Sequence, residues 1–461
     1  MDSLSGRYVG VLGLARSGLA AARLALARGA RVYASDAGDG PAVRDAAERV
    51  RALGGEADTG GHDMARLSRC DVVVLSPGIP PTAAVLREPA LEGVPVVAEV
   101  ELAFSQMDAP VVGITGTNGK TTVTALVQHL LRTAGIDAVA GGNIGTALSE
   151  VALREPAPEV AVVEVSSFQL AMTRDFAPRI GVLTNLAPDH LDWYPDVEAY
   201  YADKARLFRN ATPGSRWVLN AEDARARDLA GDAPGTRYYF RASSAPEPAE
   251  RGGFVSPSGW LTLRMDGHRE EPLVPADALR ILGPHNVANA LAAAIAARLA
   301  GADAGAIGAG LRTFEAPPHR LQPVAERGGV LWINDSKATN IASTRVAIRG
   351  MVRPTVLLLG GRHKGEPYTE LLPDLGSVRA VVAYGEAAPL VEGDLEGKVP
   401  LERVDGPFEA VVERAREIAR PGDAVLLSPA CASFDMFRNY EERGDRFVDL
   451  VTRENDAGDR A

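Results

Sequence analysis

The stretch that most limits how this chain can fold is Ala109-Pro-Val-Val-Gly-Ile-Thr-Gly-Thr-Asn-Gly-Lys-Thr-Thr-Val123. Val111, Val112, Gly113 and Ile114 read as the end of a buried strand, and Ala125, Leu126, His129 and Leu130 continue at helical spacing. Between them, Thr115, Gly116, Thr117, Asn118, Gly119, Lys120, Thr121 and Thr122 form a glycine-containing loop that ends in a lysine and a hydroxyl. Strand, loop and helix in this order cradle a nucleotide polyphosphate. Backbone N–H groups and the helix N-terminus supply partial positive charge, the lysine reaches the terminal phosphates, and a threonine hydroxyl can hold Mg2+. The standard pattern places a glycine five positions before Gly119, and Ile114 stands there instead. The competing reading, a turn with no ligand, leaves Lys120-Thr121 without a reason to sit where phosphate and metal chemistry need them.

At 461 residues the chain exceeds one ordinary core, and usual domain sizes suggest about three domains. Hydrophobic residues at 46% and charged residues at 24% fit a soluble globular enzyme. A net charge of -11 and a pI near 5.3 argue against a broad nucleic-acid or anionic-membrane surface. Cys70 and Cys431 are too few for a disulfide framework or a cysteine metal cage. No apolar run approaches a membrane span, and Met1 to Gly10 lacks the apolar core of a signal peptide. The expectation is a cytoplasmic enzyme.

Four short apolar runs in the first hundred residues, Tyr8–Leu12, Arg31–Ser35, Asp71–Ser76 and Val94–Ala98, alternate with helical stretches and predict a parallel sheet. The first turn, Gly13-Leu-Ala-Arg-Ser-Gly18, nearly matches the dinucleotide fingerprint, with Asp36 at the distance of a ribose-binding acid. Ala15 replaces the glycine that admits a pyrophosphate. The motif alone leaves an NAD site, another nucleotide or phosphate ligand, and a structural turn all open. Ser76-Pro77-Gly78-Ile79-Pro80-Pro81 ends another strand at the same carboxyl edge.

Further on, Glu164 lies at the end of the apolar run Val160-Ala-Val-Val, where a carboxylate is costly unless paired or metal-bound. Since the phosphate loop already calls for Mg2+, a metal ligand is favoured there over a buried ion pair. Ile180–Thr184 runs into Asp189, His190 and Asp192, which could bind a second metal, steady phosphate oxygens or simply form a turn. The run Val197–Phe208 looks helical, and spacing alone makes its Lys204 a surface residue. Residues 235–275 read as hairpins added to the central domain. Gly283-Pro-His-Asn286 precedes an alanine-rich helix from Val287 to Leu299, with Asn286 near its positive end, and a boundary falls near Pro317 to Arg320.

Strands and helices alternate again from 321 onward: Leu331–Asn334, Thr355–Leu359, Ala380–Tyr384 and Ala424–Leu427. Asp335 to Asn340, Gly360 to Gly365 and Ser428 to Asp435 follow three of these strands as polar loops, which predicts a binding edge. Cys431 has no evident base partner and reads as a packing residue. The polar, acidic residues from Thr452 onward are expected to fray.

Taken together, Thr115 to Thr122, Glu164-Val-Ser-Ser167 and Gly283-Pro-His-Asn286 resemble the ATP-dependent Mur ligases of peptidoglycan synthesis and the related folylpolyglutamate synthetases. Asn334-Asp-Ser-Lys-Ala-Thr-Asn340, Gly360-Gly-Arg-His-Lys-Gly365, Ser428 to Asp435 and Asn439-Tyr-Glu-Glu-Arg-Gly444 look like the D-glutamate-adding branch of that family. The resemblance runs in matching order from Gly13 to Gly444.

It implies an α/β chain of three domains: 1–105, Rossmann-like, for a UDP-linked substrate; 106–315, a central P-loop ATPase with a parallel sheet and an added small β element; and 316–461, Rossmann-like, for the amino acid. The implied reaction adds D-glutamate to UDP-N-acetylmuramoyl-L-alanine through an acyl phosphate, using ATP and two Mg2+ ions. By resemblance, Leu14, Ser17, Asp36, Ser76, Pro77, Gly78 and Asn143 would hold the UDP substrate. The family's Asp-Thr-Arg after the second strand is Asp36-Ala37-Gly38 here, so one arginine is missing. Thr115 to Thr122 with Asn286, Arg320 and Asp335 would hold ATP; Lys120, His190 and Lys204 would be catalytic. Thr121, Glu164, His190 and Lys204, the last as a carbamate, match the metal site, and Lys337, Thr339, Lys364, Ser433 and Tyr440 match the amino-acid side. Tyr440, where many members carry phenylalanine, could add a hydrogen bond. The resemblance also implies a monomer with small-molecule partners. The rivals are a ligase for another amino acid or for folate, and an NAD-binding protein resting on Gly13 to Gly18.

Overall fold

The computed structural model describes residues 3–79, 83–143, 145–190, 193–266, 268–281, 283–316 and 318–453. Pro80 and Pro81, Asp192, Pro317 and the tail from 454 onward, all included in the expectations above, lie outside the described residues.

Three sheets organise the chain. The first contains β1 (Tyr8–Leu12), β2 (Arg31–Asp36), β3 (Glu56–Thr59), β4 (Val72–Leu75) and β5 (Val96–Ala98), all parallel, in the order β3-β2-β1-β4-β5. The second contains β6 (Val111–Thr115), β7 (Ala138–Gly142), β8 (Val160–Glu164), β9 (Ile180–Leu183), β10 (Arg216–Asn220), β11 (Thr236–Arg241), β12 (Gly252–Val255), β13 (Trp260–Arg264) and β14 (Glu271–Pro275). Its order is β14-β13-β12-β11-β10-β9-β6-β8-β7. The third contains β15 (Gln322–Arg327), β16 (Val330–Asn334), β17 (Thr355–Gly360), β18 (Val378–Tyr384), β19 (Leu401–Val404) and β20 (Ala424–Leu427), in the order β15-β16-β20-β17-β18-β19. Strands such as β4 and β20 are buried throughout, as apolar parallel strands covered on both faces must be.

Residues 235–275 do add β structure to the central domain, as strands of the same sheet. The pairs β12–β13 and β13–β14 are antiparallel hairpins. By contrast β11 pairs parallel with both β10 and β12, so it is not half of a hairpin. The alanine-rich helix begins at Pro284, three residues earlier than its apolar pattern suggests, because proline is favoured in a first turn.

The chain divides into two compact units, Met1–Ala278 with Ala288–Arg312, and Leu279–Val287 with Thr313–Ala461. The first unit holds the first two sheets. One apolar core runs from Val9 and Val11 through Val100 and Leu102 to Leu148 and Phe176. The helix Glu99–Phe104 joins the sheets with two buried carboxylates. Glu99 Oε1 accepts from the Ser149 N–H at 2.6 Å, and Glu101 accepts from the Asp175 and Phe176 N–H groups at 2.7 and 3.1 Å. Burial pushes Glu99 up to about 6. Residue 105, where the sequence suggests a domain boundary, thus falls inside one packed unit. In the second unit, Ile341, Leu371 and Val391 cover one face of the sheet, while Val411, Val412 and Phe447 cover the other.

Topology places the polar loops side by side. β16, β20 and β17 are neighbours and mutually parallel, so the loops after them leave the sheet at one edge. The same holds for β2, β1 and β4, and for β9, β6, β8 and β7. Among the described residues no helix is long and apolar enough to cross a membrane.

Candidate active site

The phosphate loop leaves β6 between β8 and β9 and enters the helix Lys120–Thr133. Ile114 is buried within β6, opposite Glu164 and Val182, so the position where the common pattern has glycine is still strand here. The turn itself needs its glycines. Gly116 (φ 143°) has room for no side chain, since a Cβ would stand 2.0 Å from Thr184 Oγ1, and at Gly119 (φ 81°) a Cβ would stand 2.4 Å from Asn289 Oδ1. The loop is fastened to the segment after β9: the Thr117 N–H donates to Asn185 O, the Asn118 N–H to Asn185 Oδ1, and Thr184 Oγ1 to Asn118 O. Thr121 and Thr122 are buried in the first helical turn, where anions are favoured.

Two lysines converge on this loop. Lys120 Nζ donates to Gly116 O at 2.9 Å and to Thr117 O at 2.7 Å; Lys204 Nζ donates to the same Gly116 carbonyl at 2.8 Å. Spacing marks Lys204 as a surface residue, but the helix Val197–Ala205 packs it fully inside, with Nζ 4.4 Å from the centre of the Tyr200 ring. Burial, and then the charge of Lys120, push its pKa far down; Asp189, Glu164 and Asp203 oppose that shift. Beside them, Glu164 Oε1 accepts from Asn143 Nδ2 at 2.8 Å. Its Oε2 is buried with no hydrogen-bond partner among the described residues. A carboxylate oxygen in that state suits a cation.

His190 takes a left-handed conformation (φ 56°), its N–H bound by Asp189 Oδ1 at 2.9 Å. Its ring meets Phe168 edge-on at 5.1 Å, and Tyr194 stacks on Phe168 and meets Tyr200. Sequence reasoning missed this aromatic group, which joins residues from three separate segments; the density of rings between Trp193 and Tyr201 was its only trace. Among the described residues no three His, Cys, Asp or Glu side chains make a metal cluster by themselves, so a cation here would also use hydroxyl and phosphate oxygens.

At the first sheet, Asp36 is occupied by backbone. Its Oδ2 accepts from the Leu14 N–H at 2.7 Å and its Oδ1 from the Gly38 N–H at 2.8 Å. Its evident task is to fix the first turn. Ser76 Oγ donates to Gly13 O, and Gly18 is forced because a Cβ would meet Gly13 O at 1.7 Å. Ser17 is half-buried in the first turn of the helix Arg16–Ala27, and Pro77 and Gly78 follow Ser76 out of β4. His62, unnoticed in the sequence, joins this edge through Nδ1, 2.9 Å from Ser35 Oγ.

In the second unit, Asp335 is buried at the end of β16, accepting from Leu321 N–H at 3.1 Å and Ser428 Oγ at 2.8 Å. Burial raises it to about 7, against the pull of these bonds and of Arg320 and Arg443. Asn286 is buried in the first turn of its helix, its N–H donating to Gly283 O. Lys337 Nζ donates to Tyr440 Oη at 2.9 Å, the added hydrogen bond anticipated for that tyrosine, and Lys364 Nζ donates to Thr339 Oγ1 at 3.3 Å. Ser433 is buried on the neighbouring loop. Arg443, also overlooked, is wholly buried and spends its five N–H groups on Ser336 Oγ and on the carbonyls of Ser336, Cys431 and Ala432. It ties two loops together, and among the described residues all of its hydrogen bonds go to neutral acceptors. An edge carrying two lysines, hydroxyls and this arginine suits a small molecule with more than one carboxylate.

Comparison with known proteins agrees with the geometry. The family model for the Mur ligase MurD-like N-terminal domain matches residues 7–98, the Mur ligase middle domain 114–297, and the Mur ligase glutamate ligase domain 319–431. The chain is 43% identical over 448 residues to the UDP-N-acetylmuramoylalanine--D-glutamate ligase of Salinibacter ruber, covering 96% of each protein. It is 45% identical over 462 residues to the enzyme of that name from Anaeromyxobacter dehalogenans, covering 98% of each. Among solved structures, the UDP-N-acetylmuramate-alanine ligase MurC of Thermotoga maritima matches with a TM-score of 0.60 at 18% identity, covering 96% of this chain and 99% of that one, a likeness of fold. With its three domain models in order and relatives this similar over nearly their full length, the chain belongs to the Mur ligase family.

Proposed function

We propose that this chain is an ATP-dependent amide-bond ligase that joins D-glutamate to UDP-N-acetylmuramoyl-L-alanine, giving ADP and phosphate, in the synthesis of peptidoglycan precursors. The observation that carries the reading is the convergence of Lys120 and Lys204 on the Gly116 carbonyl, beside the partnerless oxygen of Glu164. The domains are taken as 1–105 for the UDP substrate, 106–315 for ATP and 316–461 for the amino acid.

A carboxylate does not acylate an amine at a useful rate, because oxide is a poor leaving group. Transfer of the γ-phosphoryl group of ATP to the substrate carboxylate makes an acyl phosphate; the amine then attacks, a tetrahedral intermediate forms, and phosphate leaves as the amide closes. Positioning and charge neutralisation suffice for both steps. Lys120 neutralises the β- and γ-phosphates over the N-terminus of its helix. Thr115 to Thr122, Asn286, Arg320 and Asp335 hold ATP. Leu14, Ser17, Asp36, Ser76, Pro77, Gly78 and Asn143 hold the UDP substrate, with Asp36 acting through the turn it fixes. Lys337, Thr339, Lys364, Ser433 and Tyr440 hold D-glutamate.

Thr121, Glu164, His190 and Lys204 would hold two Mg2+ ions, which supply charge neutralisation at the phosphate oxygens. Lys204 fits as a carbamate: burial favours its neutral amine, and addition of CO2 with loss of a proton turns that amine into an anionic oxygen ligand. The enzyme is taken to act as a cytoplasmic monomer on small molecules, without nucleic-acid or membrane partners, in keeping with its net charge of -11.

Mass spectrometry of the product formed from ATP, UDP-N-acetylmuramoyl-L-alanine and each glutamate enantiomer tests the reading. One glutamate added from the D enantiomer, with one phosphate released, is expected. Addition of the L enantiomer or of another amino acid would overturn it.

A further inference from the structure

Lys364 sits on a segment with few fastenings. Lys364, Gly365, Glu366 and Pro367 are all exposed, Gly365 has φ 92°, and Gly360 and Gly361 precede them. A chain of this kind does not hold a lysine in one place by itself. The residues flanking the four are joined directly: His363 Nδ1 lies 3.2 Å from Tyr368 Oη, with the two rings 5.4 Å apart. The same phenol lies 2.8 Å from Cys431 Sγ. Tyr368 and Cys431 are buried, and Cys431 belongs to the loop that carries Ser433. Below this junction Arg362 and Ala432 exchange backbone hydrogen bonds at 2.8 and 3.1 Å, so the two loops already run together as far as residue 362.

We propose that Tyr368 is a positioning residue for the amino-acid substrate: its phenol braces the base of the Lys364 loop through His363 and locks that loop to the Ser433 loop through Cys431. This rests on the reading that Lys364 and Ser433 bind the amino acid. The phenol can donate to one partner while accepting from the other, so both of its hydrogen-bonding capacities are used whichever tautomer His363 adopts. The thiol is held at about 11 by burial, so Cys431 serves here as a neutral partner and not as a nucleophile. Removing the phenolic oxygen leaves the His363 nitrogen and the Cys431 thiol without their shared partner. The exposed segment then gains freedom that binding must remove again, a cost charged to the amino acid alone.

Steady-state kinetics of the full-length enzyme, varying each substrate in turn, tests this. Tyr368→Phe is expected to raise the KM for D-glutamate about tenfold, with kcat and the KM values for ATP and the UDP substrate within about twofold. His363→Ala, a change outside the core, should act in the same direction, and the double variant should be no worse than Tyr368→Phe because both break one interaction. An unchanged D-glutamate KM in both single variants, or a parallel rise in all three KM values, overturns the proposal. Lys364→Ala separates the two layers: if it too leaves the D-glutamate KM unchanged, the assignment of the amino-acid site has failed, and not the brace alone.

Discussion

In the proposed reading, the phosphate loop and the amino-acid edge solve the problem of binding an anion by different means. Around Gly116 to Thr122 the binding groups are mostly backbone N–H groups and a helix terminus, so their geometry follows from the local chain path. Lys120 merely completes it from within the same seven residues. At the edge of the third sheet the groups are side chains on three loops, and their geometry depends on what clamps those loops together: Arg443, the Arg362–Ala432 bridge and the Lys337–Tyr440 pair. A contiguous site is hard to disturb from a distance. A composite one is sensitive to buried residues that touch no ligand.

The largest effect should come from the contiguous site. Lys120→Ala leaves phosphate charge uncompensated and is expected to lower phosphate release about 1000-fold while the protein stays folded; release at the wild-type rate would remove the ATP assignment. At the composite site the damage should appear in stability as well. Arg443→Ala strips three buried acceptor atoms, Ser336 Oγ and the carbonyls of Ser336 and Cys431, of their donor and opens a cavity, which should cost about 3 kcal/mol in urea unfolding and raise the D-glutamate KM. A variant as stable as the parent would mean that the two loops hold themselves.

Smaller still is Tyr440→Phe. Losing the bond from Lys337 should change the D-glutamate KM about fivefold and the ATP KM hardly at all. Equal shifts for both substrates would blur the contrast between the regions.

A different kind of effect is a slope in pH. Asp335 is raised from 3.8 to about 7 by burial, so between those values the folded state binds the extra proton. Its contribution is present in full below pH 4 and is lost as pH rises towards 7. Relative to Asp335→Asn, the parent protein should therefore lose stability from pH 4 to 7. Parallel unfolding profiles for the two would assign that slope to other groups.

What could be read without coordinates follows the same division. The runs Tyr8–Leu12, Val160–Glu164 and Ala424–Leu427 are central strands, apolar because both faces are covered, and they stand out in the sequence. By contrast β3, β7, β10, β15 and β19 went unread, and all of these but β10 lie at sheet edges. An edge strand has one neighbour and partly polar faces, so Glu56-Ala-Asp-Thr59 carries no apolar signal. The spacing that singles out Asp36 does not show that its carboxylate also accepts from the Leu14 and Gly38 N–H groups of its own edge.

By itself, then, the sequence determined the alternation that makes three α/β sheets and the phosphate loop, because both depend on residues close together in the chain. Only the tertiary structure decided that Ile114 is strand and not a failed glycine, that Lys204 is buried on the Gly116 carbonyl, and that Arg443 and Tyr368 bind loops together. Burial and hydrogen-bond partnership are set by residues tens of positions away, and no local pattern of residue types records them.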